Sequence, residues 1–203
     1  MLKAVLFDVD GVLLDSDEQY VELYKNVGEV LGLKPPEGDF FRKRFGIAAE
    51  KIIPEAYGKN PEAIKIFKKM DEEMKLELME GVREVLQKVQ IKKGIVSTKV
   101  KELIEKHLHE IIDEFDVVVG YEDTVGHKPN PDPLLFACNE LNVEPADAVY
   151  IGDAMADWEM ARDAGAKFIG FVSGGATEEE FRNAGVETIV HSMKELEDVM
   201  KDI

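Results

Sequence analysis

Four short runs of the chain carry reactive side chains, three directly after apolar stretches and one in a loop that follows such a stretch. The first, Asp8-Val9-Asp10-Gly11-Val12, closes the apolar run Lys3–Phe7. Residues two apart on a strand point to the same side, so Asp8 and Asp10 can converge where that strand ends. Gly11 permits a positive φ angle and a sharp exit. Two adjacent carboxylates repel unless they share a proton or a cation neutralises them. The second run, Gly152-Asp153-Ala154-Met155-Ala156-Asp157, follows Ala148–Ile151 and puts Asp157 in the first turn of a helix continuing through Trp158 and Ala161. Alone, Asp153 and Asp157 read equally well as helix caps. With Asp8 and Asp10 they make four carboxylates at strand ends, an all-oxygen set suited to a hard cation such as Mg2+.

The third run is Lys128-Pro129-Asn130-Pro131-Asp132-Pro133, with Lys128 in the loop before a helix opened by Asn130 and Pro131. A lone loop lysine is ordinarily solvated. This one follows the apolar run Asp116–Val119, where one cation could offset carboxylate charge and hold a phosphate. The fourth, Ser97-Thr98, closes Gly94–Val96 and offers hydroxyl and backbone N–H groups to a phosphate oxygen, although such residues also cap helices.

The elements that must position these residues are legible in the hydropathy pattern. Lys3–Phe7, Gly94–Val96, Asp116–Val119, Ala148–Ile151, Phe168–Val172 and Thr188–Val190 are continuous apolar runs, and helical periodicity fills the spaces between them. Such runs suit strands buried on both faces of a parallel sheet. The pattern predicts an α/β fold with a doubly wound, Rossmann-like, mostly parallel sheet, whose ligands bind beyond the carboxyl ends of its strands.

Residues 16–79 break that rhythm. Ser16 and Gln19 form a capping-box pattern, and Tyr20, Leu23, Val27 and Leu31 then recur at helical spacing until Gly32 and Pro35-Pro36. Asn60-Pro61 opens a second helix, on which Ile64, Phe67, Met70, Met74 and Leu78 would share one apolar face. The expected organisation is a Rossmann-like core of residues 1–15 and 80–203 carrying a small all-helical cap, 16–79.

Composition narrows the partners. The 203 residues include 25 Lys+Arg against 42 Asp+Glu, a formal charge of −17 that disfavours nucleic acid and anionic membranes. A single cysteine excludes an internal disulfide and fits a reducing compartment. No export signal precedes the first strand, and no run approaches the roughly 20 apolar residues of a membrane span, so a soluble, cytoplasmic monomer is expected. Other polar residues read as structural. His107 and His109 are two apart on a predicted helix and do not face each other as a zinc pair would, and His127 reads as a solvated loop residue. Cys138, Met70 and Met74 read as core. Ser173-Gly174-Gly175 reads as a turn into a helix capped by Thr177 and Glu180.

In their order and strand positions the four runs resemble the motifs of the haloacid dehalogenase superfamily, in its phosphatase branch: DVDGV, the Ser97 end of IVST, KPNPDP and GDAMAD. The resemblance extends end to end and includes a helical insert just after the first motif, as in phosphoglycolate-phosphatase-like and β-phosphoglucomutase-like members. Many relatives carry Ser or Thr followed by Asn in the second motif. Here Ser97-Thr98 leaves two candidate hydroxyls, of which Ser97 is favoured. The resemblance implies that Asp8 attacks phosphorus to form an aspartyl-phosphate and that Asp10 serves as acid and then base. It also implies Mg2+ held by the Asp8 carboxylate, the Asp10 backbone carbonyl and Asp153, with Asp157 orienting Lys128 or a water on the metal. Ser97, Thr98 and Lys128 would bind phosphate, and Arg44, Phe45 and Gly46 of the cap would face a small phosphorylated metabolite. A phosphomutase on the same scaffold is the alternative. A dehalogenase would generally lack the second aspartate, and a non-catalytic binding protein would not need the full set of acid, base, cation and metal residues.

Overall fold

In the computed structural model, which describes residues 1–201, the chain runs β1 (Ala4–Phe7), β2 (Leu14–Asp15), α1 (Asp17–Val30), α2 (Ala49–Tyr57), α3 (Pro61–Glu73), β3 (Glu77–Leu78) and α4 (Val82–Lys88). It continues through β4 (Lys92–Val96), α5 (Lys101–His107), β5 (Val117–Val119), α6 (Asp132–Glu140), β6 (Ala148–Gly152) and α7 (Met155–Ala164). It ends with β7 (Lys167–Phe171), α8 (Glu178–Asn183), β8 (Thr188–Val190) and α9 (Met193–Met200). Six strands form one sheet in the order β5-β4-β1-β6-β7-β8, and every neighbouring pair is parallel. From β1 the sheet is built outward first through β4 and β5 and then through β6, β7 and β8, so the crevice at the topological switch point opens at the carboxyl ends of β1 and β6.

Alternation along β1 divides the core. Val5 and Phe7 face a cluster with Val85, Leu86, Ile104 and Leu196, whereas Ala4 and Leu6 face one with Leu134, Ala137, Tyr150 and Phe181. Both faces are therefore apolar, which is why this strand reads as a continuous run. Cys138 is buried in the second cluster.

The helices between β2 and β3 have a core of their own, built on Tyr24, Phe41, Ile52, Ile53 and Phe67. Tyr24 stacks against Phe41 at 5.1 Å and against Phe67 at 5.0 Å between ring centroids. A two-residue antiparallel ribbon, Leu14 opposite Leu78 and Asp15 opposite Glu77, joins this insert to the sheet. The ribbon corrects the expected helix face. Helix α3 stops at Glu73 with Met74 as its C-cap, and Leu78 lies in β3. Asn60 caps α3 as its spacing predicts, accepting from the Glu62 N–H at 3.0 Å. Ser16 does not cap α1 with its side chain: its Oγ donates to Asp10 Oδ1 at 3.1 Å, while Gln19 donates to the Asp15 carbonyl. The predicted helix carrying both His107 and His109 ends at His107. Among the described residues no helix is long and apolar enough to cross a membrane.

Candidate active site

The four polar runs meet at the carboxyl edge of the sheet. Asp8 prolongs β1 by one residue, donating its N–H to the Ile151 carbonyl at 2.9 Å, and its Oδ1 accepts from the Val9 N–H at 2.7 Å. Lys128 is driven between two carboxylates, with Nζ 2.8 Å from Asp8 Oδ1 and 2.8 Å from Asp157 Oδ1. Asp157 has both oxygens engaged: Oδ2 accepts from the Ala154 N–H at 3.0 Å, and Oδ1 also accepts from the Tyr150 hydroxyl at 3.3 Å. Its place in the first turn of α7 fixes this arrangement, since the side chain folds back onto the backbone N–H that opens the helix.

Charge in this pocket is unbalanced. Asp8, Asp153 and Asp157 each offer an oxygen within 4.8 Å of the others, and all three are buried around one ammonium. Burial pushes Asp8 up to about 7; Lys128 opposes that rise and Asp157 adds to it. Asp153 is held well above the carboxylate range, first by burial and then by Asp17, Asp157 and Asp8. Burial alone would depress Lys128, yet Asp157 and Asp8 outweigh it and raise the ammonium above an ordinary lysine. Asp17 is itself pushed up to about 6 by burial and by Asp10, and its Oδ2 is buried with no hydrogen-bond partner among the described residues.

The backbone leaves room for a further positive charge. Gly11, at φ +75°, passes so close that a Cβ there would lie 2.6 Å from Asp153 Oδ2, and a Cβ on Gly175 would strike the same oxygen. Hard oxygen donors, surplus negative charge and an orphaned buried carboxylate oxygen together fit a divalent cation. Asp8 and Asp153 are the carboxylates available to hold it, because Asp157 is committed to Lys128 and to the backbone.

Asp10 points the other way. Its Oδ1 accepts from Ser16, and its Oδ2 lies 3.4 Å from Lys99 Nζ. Lys99 also lies 3.7 Å from Asp71 Oδ1 and contacts the Tyr20 hydroxyl, which donates to Asp71 Oδ1 at 2.5 Å. Ser97 leaves β4 with its N–H on the Val119 carbonyl at 3.0 Å, and its Oγ accepts from the Lys99 N–H at 3.2 Å. A cavity of about 280 Å3 separates this edge from the helical insert. Asp8, Asp10, Ser97, Thr98 and Asp153 line its floor, and Tyr20, Phe45, Gly46, Phe67 and Asp71 line its roof. This arrangement can bind a phosphate beside an oxygen nucleophile, with the rest of a small molecule under the insert.

The family profile of the haloacid dehalogenase-like hydrolases matches residues 5–171. The chain belongs to this family. It is 32% identical to the phosphorylated carbohydrates phosphatase of Thermotoga maritima over 81% of this chain and 82% of that protein. It is 30% identical to the pyrophosphatase PpaX of Bacillus velezensis over 82% of each chain. A crystal structure from Bacteroides fragilis, described as haloacid dehalogenase-like, superposes with a TM-score of 0.88 at 28% identity, covering 97% of this chain and all of the other.

In this haloacid dehalogenase-like hydrolase the structure brings Asp8, Asp10, Ser97, Thr98, Lys128, Asp153 and Asp157 to one place. Among the residues expected from the insert, Phe45 and Gly46 line the cavity. Gly46, at φ +78°, passes the start of α7 where a Cβ would come within 3.1 Å of the Ala154 side chain. Arg44 corrects the expectation of a substrate contact. Its guanidinium pairs with Glu55, donates to the Phe40 carbonyl at 2.9 Å and stacks 3.6 Å over the Phe40 ring.

Three features of the site escaped the sequence. Lys99 directly extends Ser97-Thr98, so a third polar residue at that strand end was the available signal. Tyr20 carried none, since the apolar periodicity of α1 accounts for it, whereas Asp71 stands in helical register with Ile64, Phe67 and Met74, a carboxylate on an otherwise apolar face. The Ser173–Gly175 turn does more than lead into α8, for it packs on the site: the Ala176 N–H donates to the Asp153 carbonyl at 2.7 Å, and Gly175 borders its carboxylate.

Proposed function

We propose that this hydrolase is a cytoplasmic, Mg2+-dependent phosphatase that cleaves a small phosphate monoester through an aspartyl-phosphate on Asp8. The observation that carries the reading is the Lys128 ammonium, 2.8 Å from both Asp8 and Asp157 at the edge of a buried carboxylate cluster. A carboxylate becomes a workable nucleophile toward a phosphate dianion only where cations cancel the mutual repulsion. Lys128 supplies one fixed charge. Asp8, the Asp10 backbone carbonyl and Asp153 would hold Mg2+, which supplies the remaining neutralisation of the phosphate oxygens when bound.

The chain's own groups then divide the work. An Asp8 carboxylate oxygen attacks phosphorus as the bond to the leaving oxygen breaks, and Asp10 gives that oxygen a proton. In the second step Asp10 takes a proton from water, the water oxygen attacks phosphorus, and the Asp8–phosphorus bond breaks. Ser16 and Lys99 hold Asp10 in place for both transfers. Ser97 and Lys128 stabilise the charge on the equatorial oxygens. Asp157 keeps Lys128 fixed between its two partners. Residues 16–79 act as a cap that excludes bulk water over the leaving group.

The deciding experiment is a phosphate-release screen over many monoesters, with Mg2+ and with EDTA. Release that needs Mg2+ is the expected result. Isomerised sugar phosphate without free phosphate would replace this reading with the phosphomutase. Halide release that survives EDTA would replace it with the dehalogenase.

A further inference from the structure

The part of the cavity under the helical insert is short of available positive charge. Only two cations, Lys68 and Lys99, line the cavity among the described residues, and both are already paired. Lys68 lies 3.1 Å from Glu50. Lys99, with a side chain only 3% exposed, is surrounded by Asp10, Asp71 and the Tyr20 hydroxyl. Neither of the insert's arginines Arg42 and Arg44 lines the cavity: Arg42 pairs with Glu18 and reaches the Gly174 carbonyl, and Arg44 pairs with Glu55. Carboxylates remain, with Glu72 and Glu102 lining the cavity beside Asp71.

Asp71 cannot easily leave Lys99 to an incoming anion. Its side chain is 9% exposed and accepts from the Tyr20 hydroxyl at 2.5 Å. An anion that took Lys99 would strand that carboxylate in a buried site without its counter-charge, a costly arrangement. Burial, followed by Asp10 and Asp71, holds the Tyr20 phenol well above its ordinary range, so it stays a neutral donor.

We infer that the Lys99–Asp71–Tyr20 cluster makes the leaving-group end of the cavity a filter against a second anionic group. The preferred substrate is then the monophosphate of a neutral, hydroxylated molecule of sugar or polyol type, and not a carboxylated phosphate or pyrophosphate. The inference rests on the phosphatase reading and deepens it. The floor of the cavity serves one phosphoryl group with Lys128 and the cation site. A second anionic group would have to face Asp71, Glu72 and Glu102. A neutral polyol can instead exchange hydrogen bonds with these carboxylates while its carbon skeleton rests on Tyr24, Phe45 and Phe67. Specificity of this kind comes from rejecting the wrong partner as much as from binding the right one.

The test compares kcat/KM, with Mg2+, for glucose 6-phosphate and glycerol phosphate against phosphoglycolate and pyrophosphate, with p-nitrophenyl phosphate as the general reporter. The neutral class is expected to lead by about tenfold or more, the scale of an unfavourable like-charge contact. Asp71→Asn keeps the shape and the partner of Tyr20 but frees Lys99, and should narrow that lead by about tenfold. Glu72→Gln, at an exposed position that leaves the fold alone, should narrow it by about twofold. Equal or better turnover of phosphoglycolate or pyrophosphate by the unaltered protein overturns the filter, whatever the variants do. A lead unmoved in both variants overturns its assignment to this cluster. Absence of phosphate release from every compound, p-nitrophenyl phosphate included, overturns the phosphatase reading itself, and the filter with it.

Discussion

On the sheet side of the cavity Asp8, Ser97 and Asp153 each follow their own strand by a single residue. On the helical side Tyr20 and Asp71 are 51 residues apart in the chain and meet through a hydrogen bond between two helices. The first wall is therefore fixed by strand register, which sets where each side chain emerges and is locked by the flanking apolar core. The second depends on how α1 and α3 pack around the stacked rings of Tyr24, Phe41 and Phe67. A floor built this way resists adjustment and suits the shared chemistry of phosphoryl transfer. A roof set by helix packing can change with a few side chains, which suits the choice of leaving group.

Substitutions on the floor should have the largest effects and should act on every substrate alike. Asp8→Asn is expected to lower phosphate release by about a thousand-fold or more across all substrates, with a thermal melt close to that of the parent. An effect confined to one substrate class would move Asp8 from the floor's chemistry into recognition.

Lys128→Met leaves Asp8 and Asp157 buried without their ammonium, and should cost about 3–5 kcal/mol in a denaturant melt, on the scale of breaking a buried ion pair. Added Mg2+ should recover part of that loss. A cost below about 1 kcal/mol would mean that the floor is less rigidly balanced than its distances imply.

Gly175→Ala crowds Asp153 from the loop after β7 without touching the roof. The Mg2+ concentration for half-maximal activity should rise about tenfold, while the relative order of substrates stays the same. Arg44→Ala marks the smallest effect, under about twofold in kcat/KM, because its guanidinium serves Glu55 and Phe40, none of which lines the cavity. A tenfold loss there would return Arg44 to the roof.

The legible part of the site follows the same division. Asp8, Asp10, Asp153 and Asp157 were readable because they close apolar runs whose ends are marked in the sequence, and Lys128 because it stands in the loop that follows another such run. The parallel sheet was readable for the same reason, since strands such as β1 bury both faces. The insert was harder to read. Its ribbon strands, Leu14–Asp15 and Glu77–Leu78, are too short to show any period, so the apolar spacing of α3 continues through Leu78 although the helix ends at Glu73. Ser16 shows the limit of local rules: its spacing to Gln19 fits a capping box, yet its hydroxyl goes to the Asp10 carboxylate supplied by the preceding turn.

Residue types and hydropathy period were enough for the six strands of the parallel sheet, the helical insert after the first of them, the polar runs that follow the strands and the negative charge that calls for a cation. Those features are local, set by hydropathy period and by residue types at the ends of runs. Packing set the rest: Lys128 stands between Asp8 and Asp157, Arg44 is taken up by Glu55 and Phe40, and Lys99 is held by Asp71 and Tyr20 from the insert. The two lysine pairings join segments distant in the chain, and packing alone selects among the partners that their chemistry would allow.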